Sequence, residues 1–127
     1  MVNNQTIGDP GTRSGTVLSP EDLAVLQENL HEQRLFREEQ LRQIAAAATS
    51  GSDATNRRSA AQSEVRVTLA ASARMVLADV EAALRRMAEG SYGSCRLCRR
   101  PIARERLMIV PQARYCARCQ QVREAGR

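Results

Sequence analysis

Lysine and tryptophan are missing from this chain, and aromatic residues are scarce: Phe36, Tyr92 and Tyr115 make up 2% of its 127 residues. A broad globular core normally leans on such side chains, so slender helix packing is expected instead. No apolar run approaches the roughly 18 residues that a membrane-spanning helix needs. Residues 1–18 also lack the apolar stretch of a signal peptide, and the chain is read as cytoplasmic, with no membrane partner. The sequence contains one histidine, His31, and no Ser–His–Asp set, phosphate loop or paired-carboxylate site. It is read as a non-enzyme, with His31 an exposed helix residue.

What is present is arginine, and it is unevenly placed. The net charge is +5, and all 19 basic residues are arginine, a bias that fits a coding preference of the genome. Residues 95–127 carry nine Arg against Glu105 and Glu124, whereas residues 19–89 carry nine Arg against eleven acids. The helical part is slightly acidic and the cysteine-bearing tail strongly basic, which suggests an anionic partner: nucleic acid or an acidic protein surface.

Three segments are expected. Residues 1–18, rich in Gly, Asn and Thr, read as a disordered arm. Residues 19–89 read as an antiparallel helical hairpin. Its first helix opens on Ser19 as cap, Pro20 at the first helical position and Asp22 three residues beyond the cap, and runs to about Ala48. Leu23, Leu26, Leu30, Leu41 and Ile44 form its seam, with Gln33 and Arg37 in the intermediate slots. Leu35 and Phe36 lie off the seam and are expected to pack elsewhere. The tip falls at residues 49–58, a run of turn formers. The second helix spans about Ser59 to Glu89, with a seam of Val65, Leu69, Val76, Val80, Ala83 and Met87, and Gly90 ends it. At 1.5 Å per residue each arm reaches about 45 Å. Residues 90–127 form a small module and a short tail.

Cys95, Cys98, Cys116 and Cys119 give Cys-x2-Cys-x17-Cys-x2-Cys. Two residues between sulfurs let one tight turn supply two ligands, and zinc prefers four soft ligands in a tetrahedron. A segment this short, below about 40 residues, needs a metal or a staple to fold. Four cysteines leave no open position for water, so one structural Zn2+ is expected. Ile102 and Leu107–Val110 read as short strands, and Tyr115 is expected to pack beside the metal. Arg96, Arg99, Arg100, Arg104, Arg114 and Arg118 are candidate anion contacts.

A helical hairpin leading into "GSYGSCRLC" and "RERLMIVPQARYCARC" resembles the DksA/TraR family of bacterial transcription regulators. Gly90, Tyr92, Gly93, the four cysteines, Ile102, Arg106, Leu107, Pro111 and Ala113 carry the resemblance. It implies a coiled coil projecting from a zinc-bearing base. It also implies binding to RNA polymerase through the secondary channel, modulation of initiation without catalysis, and, in some members, joint action with ppGpp. The expected state is a monomer without sequence-specific DNA binding.

At the tip, the family's Asp-x-x-Asp-x-Ala corresponds to Asp53-Ala54-Thr55-Asn56-Arg57-Arg58. Asp53 fits, whereas Asn56 replaces the second acid and Arg58 the alanine. Asp53, Ala54, Asn56, Arg57 and Arg58 are the expected polymerase-contacting residues. Arg99 stands where the family commonly has Gly, and a left-handed backbone there would strain the first knuckle. Two other readings stay open: a zinc-ribbon module that binds nucleic acid through its basic face, and a thiol-based zinc redox sensor.

Overall fold

The computed structural model describes residues 18–49 and 56–126, apart from the side chains of residues 49 and 56–59. The expected arm, except Leu18, and the tip residues Asp53 and Ala54 lie outside the described residues. Four helices follow in order: α1 (Pro20–Thr49), α2 (Asn56–Glu89), α3 (Arg104–Ile109) and α4 (Ala117–Ala125). α2 begins three residues before the expected Ser59, so Asn56, Arg57 and Arg58 form its first turn.

The start of α1 is a reciprocal capping box. The Asp22 N–H donates to Ser19 Oγ at 2.9 Å, and the Ser19 N–H donates to Asp22 Oδ2 at 3.2 Å. Two amides that the helix cannot satisfy are thereby paired. α2 ends in a Schellman turn. The Ser91 N–H donates to the Arg86 carbonyl at 2.9 Å and the Gly90 N–H to the Met87 carbonyl at 3.2 Å. Gly90 sits at φ 82°, a left-handed angle that glycine adopts without a Cβ penalty.

α1 and α2 pack as an antiparallel pair. Leu30 meets Val80 and Ala83 near the base, and Leu41 and Ile44 lie beside Val67 and Ala70 further out. The inner row of α2 differs from the expected seam. Val65 and Leu69 are 57% and 46% exposed, while Ala70 and Ala73 are buried. The row runs through Arg66, Ala70, Ala73, Leu77, Val80, Leu84 and Met87, in unbroken steps of four and three. Ser72 interrupts the alternative row, and small alanines let the backbones approach closely. On α1, Gln33 and Arg37 are half-buried in the seam. Their stems cover apolar surface while Arg37 Nη1 donates to Gln40 Oε1 at 2.9 Å. Leu35 and Phe36 do not pack elsewhere among the described residues; they are 58% and 62% exposed.

The base contains two short helices and no strand among the described residues. Only an isolated bridge joins Ser94 to Pro101. The strand expected at Leu107–Val110 is the end of α3 and its C-cap, and Ile102 precedes that helix. A four-residue apolar run does not distinguish strand from helix by period alone. Here one residue of the run, Leu107, is fully buried and Ile109 is 80% exposed, a one-sided pattern that suits a single helical turn.

One core joins base to hairpin. Leu26, Cys95, Ile102, Leu107 and Ala113 are buried together, with Leu18, Met87, Tyr92 and Tyr115 against them. Met87 and Tyr92 also pack on the Leu30–Val80–Ala83 cluster. The two clusters therefore share side chains, and the direction of the hairpin is set by the base.

Candidate metal centre

The first cysteine pair lies in a turn after Gly93. The Arg99 N–H donates to the Cys95 carbonyl at 3.0 Å, and the Cys95 N–H donates to the Arg100 carbonyl at 2.8 Å. Closing this knuckle puts Arg99 at φ 65°, the left-handed angle that its departure from glycine implied. The second pair spans the start of α4. Cys116 is the N-cap, its Sγ accepting from the Cys119 N–H at 3.4 Å. The Arg96 N–H donates to the Arg114 carbonyl at 2.8 Å and ties the two knuckles together.

All four sulfurs lie within 4.8 Å of one another, and Cys98 Sγ and Cys116 Sγ are 3.9 Å apart. A zinc ion bound to four sulfurs at about 2.3 Å requires an edge of roughly 3.8 Å, so the cluster fits one tetrahedral zinc. Cys95 is buried, Cys98 exposed, and the other two half-buried. Burial opposes ionisation of Cys95, but the N–H groups of Cys98, Cys116 and Leu97 outweigh it and bring its thiol down to about 6. Burial and sharing of hydrogen bonds with the other three sulfurs push Cys119 up to about 12. A cluster that opposes shedding its last protons is one that a divalent cation completes.

Around the sulfurs, several arginines act as fasteners. Arg106 Nε donates to the Tyr115 carbonyl, next to Cys116, at 3.0 Å. Arg104 grips Asp22 through two bonds of 3.0 and 2.9 Å, linking α3 to the start of α1. Hydrogen bonds from Arg104 and from the Ser19 N–H hold the Asp22 carboxyl down at about 2. Arg114 pairs with Asp79 of α2 at 3.1 Å. Of the six candidate anion contacts, Arg104 and Arg114 are thus engaged within the molecule. Arg96, Arg99, Arg100 and Arg118 are exposed and have no ion-pair partner among the described residues. Tyr115 packs beside the metal cluster as expected, with the Arg123 guanidinium 4.7 Å over its ring.

Two features were not visible in the sequence. Tyr92 Oη donates to the Pro111 carbonyl at 2.9 Å, and burial pushes its phenol up to about 12. Arg86 is buried beneath the module, its Nη2 3.5 Å from the Ala113 carbonyl. Burial, then the nearby Arg96 and Arg114, lower its pKa. Nothing in the pair Arg85–Arg86 marks which one turns inward.

Residues 90–125 match the family described as prokaryotic dksA/traR C4-type zinc finger. This segment is a DksA/TraR zinc finger. The fold matches over a longer stretch: the chain superposes on transcription factor DksA2 from Pseudomonas aeruginosa with a TM-score of 0.73 at 21% identity, over 84% of this chain and 86% of that one. An uncharacterized protein of Aquifex aeolicus (strain VF5) is 38% identical over 52 residues. That match spans 39% of this chain and 36% of the relative, about a third of its length. The zinc module thus matches the DksA/TraR family and the fold is that of DksA2, with four cysteines suited to one structural zinc. No described helix is long and apolar enough to cross a membrane.

Proposed function

We propose that this protein regulates transcription by binding RNA polymerase, with the hairpin inserted in the secondary channel and no catalysis of its own. The observation that supports this most is the shared core at Met87 and Tyr92, which fixes a rod about 45 Å long to a zinc-clasped base, in the fold of a transcription factor. A rod rooted in this way can carry a small polar tip to a distant site without losing its aim. Asp53, Ala54, Asn56, Arg57 and Arg58 are the tip contacts in this reading. The tip sequence offers one carboxylate, Asp53, where the family's pattern carries two, and so brings fewer of the hard oxygen ligands that Mg2+ takes. Arg57 and Arg58, four and five positions after Asp53 in the sequence, favour contact with polymerase or phosphate over metal capture, so modulation of initiation is proposed and transcript cleavage is not. Any joint action with ppGpp would be at the polymerase interface, with the protein acting as a monomer in the cytoplasm.

Equilibrium binding to purified core RNA polymerase tests the proposal. Saturable binding that a known secondary-channel ligand competes away is expected. Binding that such a ligand leaves untouched, or none at micromolar concentration, would remove the secondary channel from the account.

A further inference from the structure

We propose that the zinc end of the molecule, opposite the hairpin tip, binds the phosphate backbone of duplex nucleic acid through Arg96, Arg99, Arg100 and Arg118. The site stands apart from the proposed polymerase contacts of the hairpin and does not depend on them.

All four arginines belong to the two knuckles. Arg96 lies between Cys95 and Cys98, Arg99 and Arg100 follow Cys98, and Arg118 lies between Cys116 and Cys119. Because the sulfurs gather within 4.8 Å, the four arginines, each next to a ligand cysteine or one residue beyond it, are tethered to one small centre, and all four are exposed. The charge there is in surplus. A Zn2+ ion held by four thiolates carries about −2, which two arginines balance. Arg104 and Arg114 already pair with Asp22 and Asp79, and Arg123 covers Tyr115. The four knuckle arginines therefore carry more positive charge than the metal centre needs, and no acid pairs with them among the described residues. Arg99 also occupies a left-handed position, φ 65°, where glycine would be unstrained.

The chemistry favours phosphate. Guanidinium forks match phosphate oxygens in pairs. A protein partner would need aromatic or aliphatic anchors at the centre of the patch. Within the two knuckles Leu97 is the one large apolar side chain exposed, at about half, while the other exposed apolar side chains of the base, Ile109 and Val122, lie on α3 and α4. Single strands call for exposed aromatic rings that stack on bases. The one ring nearby, Tyr115, is half-buried and covered, so a duplex is the better fit. Contacts limited to phosphate carry no base information, so the binding is independent of sequence.

The test uses the full-length, zinc-loaded chain and a fluorescently labelled DNA duplex of arbitrary sequence, about two helical turns long, titrated at several salt concentrations. With about two to four phosphates neutralised, the affinity should fall roughly 10- to 150-fold between about 50 and 200 mM salt, a log–log slope of about −1.8 to −3.6. Replacing Arg118→Gln should lower the magnitude of that slope by about 1, and Arg96→Gln with Arg100→Gln should lower it further, with one zinc per chain retained. Arg74→Gln on the hairpin should change neither slope nor zinc content. The proposal is overturned by absence of binding at the low-salt end of the titration, or by an unchanged slope in zinc-loaded R96Q/R100Q/R118Q. It is equally overturned if that variant instead loses affinity for core polymerase while DNA binding is nil, which would make this end a protein-docking surface.

Discussion

Arg99 shows how one side chain can set a balance. Its backbone is left-handed at φ 65°, a region that costs an L-residue roughly 1–2 kcal/mol. Part of that returns when glycine is substituted, because glycine loses more freedom on folding. Arg99→Gly should therefore stabilise the zinc-loaded protein by about 0.5–1 kcal/mol, read as a higher midpoint in urea. The same change should weaken DNA binding, so stability and binding would move in opposite directions. A lower urea midpoint would show that the Arg99 side chain contributes packing that outweighs the strain. At this scale the sequence was informative: four cysteines at metal spacing and a capping serine could be read directly, and the family resemblance marked Arg99 as standing where glycine is usual. Arg86 could not, because Arg85 and Arg86 are adjacent and only the packing of the base decides which is buried.

At the scale of elements, the hairpin was legible and its rotation was not. Start, stop and antiparallel return followed from Ser19, Pro20, Asp22 and Gly90. The inner row of distal α2 was read one residue out, because Val65 and Leu69 are the larger apolar residues and Ala70 and Ala73 the smaller. Close approach of two backbones favours the small ones, a tertiary effect that hydropathy does not carry. Two substitutions separate the rows. Ala73→Leu should force the helices apart and destabilise by about 1–3 kcal/mol. Leu69→Ala, at a 46% exposed site, should change stability by less than about 0.5 kcal/mol. Thermal unfolding of both variants decides between the rows, and the reverse ranking would restore Leu69 to the seam. The short helix α3 was read as a strand because four apolar residues are too few to show a period. Its place is set by Leu107 in the base core and by Arg104 on Asp22.

Across the whole molecule, a shared apolar core, the zinc clasp and two ion pairs, Asp22–Arg104 and Asp79–Arg114, hold base and hairpin together. Among the described residues, α1 and α2 contain 64 of the 79 helical ones, and none of these 64 is a candidate metal ligand. Chelation of zinc should therefore leave most of the far-ultraviolet helical signal while lowering the thermal midpoint and freeing Tyr92 from its buried site. Loss of most helical signal would mean that the hairpin cannot persist without its clasp.

The Asp22–Arg104 link adds a pH dependence of known sign. The folded-state pKa of Asp22 is lowered to about 2, against roughly 3.9 in an unfolded chain. Its stabilisation is complete above the unfolded value and is lost as pH falls toward 2. At saturating zinc, the difference in thermal midpoint between wild type and Asp22→Asn should stay constant from about pH 8 to 5 and shrink below about pH 4. A difference that already changes between pH 8 and 5 would assign it to another group.

The central claim is that the zinc knot is a clasp and that the working contacts with polymerase lie at the far end of the hairpin. Site-specific photo-crosslinking to core RNA polymerase tests it most directly, with the crosslinker placed at Ala54 in one protein and at Glu105 in another. The account predicts that Ala54 crosslinks to the large-subunit segments around the catalytic centre, and that Glu105 crosslinks only outside the channel or not at all. Crosslinks to the catalytic centre from Glu105, with none from Ala54, would contradict it.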